Sequence, residues 1–169
     1  YEIRNCDWSS DVCSSDLGET WHHEQTLGPT AGAFVDAFGA SVDIRGGLIA
    51  VGARTDSSMA SFAGAVYFFR FNQQSFDWDL EDKIFASDAS EQAQFGWSVA
   101  LADQAAIIGA HDNVNTSQGA AYVFRPEMGA WTEETKLTHP PGGPANDGFG
   151  VSVAIDRKST RLNSSHSSV

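Results

Sequence analysis

Apolar and polar residues in this chain follow the short rhythms of strands, and no segment keeps a 3.6-residue period. Ser41-Val42-Asp43-Ile44 alternates, as a strand with one wetter face does. Arg45-Gly46-Gly47 then reads as a tight turn. Leu48 to Ala53 is continuously apolar, which predicts a strand buried on both faces. After the polar loop Arg54–Ser61, the aromatic and branched stretch Ala65–Phe71 predicts a third strand. Asn72–Ser75 turns the chain, Trp78–Ala86 predicts a fourth strand, and Ser87–Gln94 is a polar connection. The same order returns with strands at Ser98–Leu101, Ala105–Ala110, Ala120–Arg125 and Trp131–Leu137. His139 to Pro144 is too rich in Pro and Gly for helix or central strand, and Phe149–Ile155 opens a third round. Upstream, Trp21–Leu27 reads as one strand ending in the turn cluster Gly28-Pro29-Thr30.

The return is verbal as well as rhythmic. FGASVDI at 38–44, FGWSVAL at 95–101 and FGVSVAI at 149–155 share one frame, at spacings of 57 and 54 residues. Gly52-Ala53 and Gly109-Ala110 each fall 13 residues after the Gly of the Phe-Gly pair. AGAVYFF from Ala63 answers QGAAYVF from Gln118, and WHHEQTL, WDLEDKI and WTEETKL begin at Trp21, Trp78 and Trp131. Several phrases in fixed order at one period define a repeat protein. Four short antiparallel strands in about 55 residues, with aromatics at fixed places, predict a propeller blade. The fold class is therefore all-β: a fragment of a β-propeller with two complete four-stranded antiparallel blades and parts of two more. The blades are expected at 37–93 and 94–147, after the last strand of a preceding blade within 18–36 and before the first strand of a further blade at 148–156. A sandwich would show alternation without this period.

The two ends stand outside the pattern. Residues 1–17 and 157–169 are Ser-rich, share no phrase with the repeats and resemble translated sequencing-adapter sequence, so they are expected to be non-native; the other reading is a pair of natural linkers. Cys6 and Cys13, the only cysteines, lie in the first of these and carry no message about redox compartment.

Composition narrows the function classes. With 41% apolar and 11% aromatic residues the chain can build a core. No apolar run approaches the roughly 18 residues of a membrane span. A net charge of −12, with scattered Lys and Arg, excludes nucleic acid as a partner.

Candidate chemistry is sparse. Gly96-Trp97-Ser98 shares part of a nucleophile elbow, but Ser41, Ser98 and Ser152 hold the same place in every copy, and a catalytic Ser is needed once. His22, His23, His111 and His139 lack metal-ligand spacing, and Asp77, Asp79, Glu81 and Asp82 read as a solvated edge. No catalytic, metal or cofactor residue is assigned. The candidate site is a rim of loops. The interval Gly52–Gly64 is 12 residues and Gly109–Gly119 is 10, although the strands around them match. Asp56 in one loop and His111, Asp112 and Asn113 in the other form an expected ligand rim, against the plainer reading that each Asp caps its own turn.

The phrases Phe-Gly-x-Ser-Val, Val/Ile-Gly-Ala and Gly-Ala-x-Tyr resemble FG-GAP repeats, the blades of integrin α-chain-like propellers, and the fuller wording over 119–155 is similar to bacterial secreted and surface members. The resemblance spans 18–156. It implies a seven-bladed parent, secreted or at the cell surface, used as a non-enzymatic interaction or adhesion module with a protein or glycan ligand. The alternative it leaves open is the propeller portion of a secreted enzyme of lyase or phospholipase type. Many family members carry a calcium loop between the Phe-Gly and Gly-Ala phrases; here that interval holds one acid per copy, Asp43 or Asp103, too few for a calcium cage, so no cofactor is expected. Two complete blades leave apolar faces without a neighbour, and the fragment is expected to self-associate.

Overall fold

A computed structural model describes residues 25–29, 36–111, 119–140 and 148–156. The described residues form eight strands and no helix: β1 Phe38–Arg45, β2 Leu48–Ala53, β3 Ala65–Asn72, β4 Asp77–Ile84, β5 Phe95–Ala102, β6 Ala105–Ala110, β7 Ala120–Glu127 and β8 Ala130–Thr138. They make two four-stranded antiparallel sheets, β1-β2-β3-β4 and β5-β6-β7-β8, each a meander in chain order. These are the two expected blades. The repeated residues take equivalent places: Val42 faces Val51 as Val99 faces Ile108, Tyr67 faces Lys83 as Tyr122 faces Lys136, and Trp78 faces Phe71 as Trp131 faces Pro126.

Burial explains the apolar runs. All six residues of β2 are buried. Alternate side chains go to opposite faces: Leu48 and Ala50 join the core between the sheets, while Ile49 and Val51 join a second cluster with Tyr67, Phe69 and Phe38. The inter-sheet core is anchored by Phe68 of the first blade, stacked on Trp131 of the second with ring centroids 4.2 Å apart and planes 8° from parallel.

The Phe-Gly phrase opens each blade with a kink. Gly39 and Gly96 both sit at φ +86°, where the β1–β2 and β5–β6 registers slip. Gly150 of the third copy adopts φ +80°. A residue with a side chain would be strained there.

The partial blades are less regular than expected. Residues 25–29 and 151–156 carry no regular strand, because neither segment has a ladder of backbone hydrogen bonds to a described neighbour. Residues 21–24 of the expected first strand, and both adapter-like ends, lie outside the described residues.

Candidate functional site

The repeated serines are structural fasteners. Ser41 Oγ donates to the Gly96 carbonyl at 2.8 Å, and Ser98 Oγ donates to the Gly150 carbonyl at 2.9 Å. Each Ser thus ties its blade to the Phe-Gly phrase of the next. The Gly of the Gly-Ala phrase makes room for that approach. A Cβ on Gly52 would lie 2.2 Å from Gly96 O, and one on Gly109 would lie 1.9 Å from Gly150 O. A second fastener sits at the outer strand. The backbone N–H of Trp131 donates to Asp82 Oδ2 at 2.9 Å, and that of Trp78 donates to Gln25 Oε1 at 2.7 Å. Gln25 and Asp82 hold the same place in the Trp phrase, four residues after Trp21 and Trp78. Residues 25–29 therefore meet the first blade as the outer strand of that blade meets the second.

The β2–β3 loop turns its acid inward. Asp56 is 1% exposed. Its carboxylate accepts from the Ser58 N–H at 2.8 Å, from Tyr67 Oη at 3.2 Å and from Lys83 Nζ at 2.8 Å. Burial pushes the Asp56 carboxyl up, but the hydrogen bonds from Lys83 and Ser58 outweigh it and hold the group below its ordinary value. Asp56 thus closes its own turn and pins β3 to β4, with its side chain directed away from the surface expected for a rim. His111 stands at the end of β6, half-buried, with its ring 4.7 Å from that of Trp97. Asp112 and Asn113 lie outside the described residues.

The second blade rebuilds the same cluster from another loop. Tyr122 Oη donates to Asp88 Oδ1 at 2.8 Å, and Lys136 Nζ donates to Asp88 Oδ2 at 2.5 Å. Asp88 comes from the connection before β5, so the Tyr–Lys pair recurs while its carboxylate changes source. The repeated Lys of EDKI and ETKL was a legible signal for this pair; the identity of the acid was not.

Five further acids are individually engaged. Asp79 accepts from Asn72 at 2.9 Å, Glu81 pairs with Arg70, and Asp82 holds the Trp131 amide. Asp43 accepts from the Leu101 N–H at 2.6 Å, and Asp103 pairs with Arg45 at 2.7 Å.

Arg54, the polar residue that opens the β2–β3 loop, is not among the expected rim residues but stands at this rim. The Arg54 guanidinium lies 4.4 Å from the centre of the Trp97 ring. Arg54 follows Gly52-Ala53 as His111 follows Gly109-Ala110, so both occupy one repeat position. The side chains of both rest against Trp97, which fills the variable slot of FGWSV.

Among known families, the FG-GAP repeat matches residues 21–69 and 78–124, together more than half of the chain. No curated protein matches it significantly.

Proposed function

Since this chain belongs to the FG-GAP repeat family, we propose that it serves as a non-enzymatic interaction or adhesion module outside the cytoplasm, secreted or at the cell surface. The observation that carries this reading is the use made of the motif residues. Ser41, Ser98, Gly52 and Gly109 are all spent on joining one blade to the next. A hydroxyl that donates to a neighbouring blade's carbonyl in two successive copies is a building element rather than a nucleophile. What differs between the blades is the loops, and binding residues are usually carried on loops held by a rigid scaffold. No helix among the described residues is long and apolar enough to cross a membrane. The partner class in this reading is a protein or glycan.

Two measurements test it. A membrane-impermeant biotin reagent applied to intact producing cells is expected to label the protein, and failure to label it while a known surface protein is labelled would overturn the location. A fluorophosphonate probe is expected to leave Ser41 and Ser98 unmodified. Covalent labelling of either would overturn the non-enzymatic assignment.

A further inference from the structure

Every described lysine and arginine except one has a carboxylate partner. Arg45 pairs with Asp103, Arg70 with Glu81, Lys83 with Asp56, Arg125 with Glu134 and Lys136 with Asp88. Arg54 has no such partner among the described residues, in a chain with 22 acidic residues to supply one. Its Nε is buried and makes no hydrogen bond there, and His111 Nδ1 is in the same condition. A donor without an acceptor costs free energy, and no described residue accepts from the terminal guanidinium nitrogens of Arg54 either, which leaves them to a ligand.

The arrangement is also specific to one seam. The slot between Phe-Gly and Ser holds Ala40 in the first copy, Trp97 in the second and Val151 in the third. The groups that build blades recur; the Arg54–Trp97–His111 stack does not. A guanidinium held against an indole keeps its planar fork in a fixed orientation. That fork matches a carboxylate, to which it can donate two parallel hydrogen bonds.

We propose that Arg54, Trp97 and His111 form a receptor for a single carboxylate presented by a protein partner, an acidic side chain in an otherwise neutral segment. Net charge selects against a polyanion: at −12 the chain repels one, while a lone carboxylate is repelled far less. The Trp97 ring is already engaged by two side chains, so it does not offer a free platform for a sugar. This inference rests on the interaction-module reading and names the ligand chemistry of that rim.

The test is a nitrogen-15 NMR titration of the full chain with acetyl-Gly-Glu-Gly-amide. A saturable shift of the Arg54 Nε–H and of His111 is expected, with a dissociation constant on the order of 1 mM, and none with the Gln peptide. Arg54→Lys keeps the charge but loses the fork and should bind about tenfold more weakly; Arg54→Gln should abolish binding while leaving the remaining amide spectrum in place. An equal shift with sodium chloride at matched ionic strength, or one that survives in Arg54→Gln, overturns the site. Tighter binding of glucuronate than of the peptide overturns the protein partner. Loss of peptide binding with surface labelling intact would remove this site and leave the module; labelling lost with the titration intact would do the reverse.

Discussion

Ser41 and Gly96 lie 55 residues apart and are joined by one hydrogen bond, from the hydroxyl of the first to the carbonyl of the second at 2.8 Å. Ser98 and Gly150 repeat the bond at a separation of 52. This bond explains why Ser and the Phe-Gly phrase belong to one motif: the Ser of each copy is read by the Gly of the next. Ser41→Ala or Ser98→Ala removes the donor from a part-buried carbonyl and is expected to cost about 1 kcal/mol each. Urea titration should show a lower midpoint with an unchanged slope.

Gly52→Ala should be far more damaging than its size suggests. The new Cβ would stand 2.2 Å from both Gly96 O and Ser41 Oγ, so the blades must separate. A loss of about 3 kcal/mol is expected, at the upper end of overpacking. Gly28→Ala, with no atom of the described residues within 4 Å of its Cβ, is the control and should change the urea midpoint little.

The Asp56–Lys83 pair sets a pH dependence at both ends. Hydrogen bonding holds the Asp56 carboxyl below its ordinary value against the opposing effect of burial. An acid so depressed adds stability that is present above about pH 4, the unfolded value, and is lost as pH falls through the folded one. Burial lowers Lys83, but its bonds to Asp56 and Tyr67 outweigh this and hold it above its ordinary value. A raised lysine adds stability that is complete below about pH 10.4 and is lost as pH rises through the folded value. Asp56→Asn should flatten both limbs of a stability–pH profile and cost about 3 kcal/mol near neutrality, because it leaves Lys83 facing a neutral amide. Asp88→Asn removes the equivalent partner of Lys136, but the Asp88 side chain is 50% exposed, so about 1 kcal/mol or less is expected.

The stacked pair Phe68 and Trp131 spans the two blades. A double-mutant cycle with Phe68→Leu and Trp131→Leu is expected to give a coupling energy of about 1 kcal/mol. A coupling indistinguishable from zero would show that the rings contribute only through buried area.

Stacking also predicts association. Val42, Ile44, Leu137 and Val151 are exposed apolar residues. Repeat units of this kind normally bury such surface against neighbours. Sedimentation velocity is expected to show a mass that rises with concentration, and a monomer at all concentrations would refute it.

The blade fold was legible in the chain because its signals are local. Strand rhythm, the Gly46-Gly47 turn and the repeated Trp, Tyr and Phe-Gly phrases each act within a few residues, and repetition at one period multiplies a weak pattern into a firm one. The sequence alone also marked Ser41 and Ser98 as structural, since all three copies keep a Ser at that place. It could not say what the hydroxyls touch, because their acceptors lie a whole blade away. The rim was decided by tertiary structure for the same reason. Whether Asp56 faces solvent depends on Lys83 and Tyr67 arriving from other strands, and their approach draws the carboxylate inward to 1% exposure. Asp88 takes that role in the second blade without any matching phrase, since a Lys–Tyr pair accepts whichever carboxylate a nearby loop delivers. Arg54 and Trp97, 43 residues apart, meet only because one blade packs on the next. Local hydrogen-bonding and burial preferences are written along the chain, whereas the pairing of charges across a seam depends on distances that exist only after the sheets have stacked.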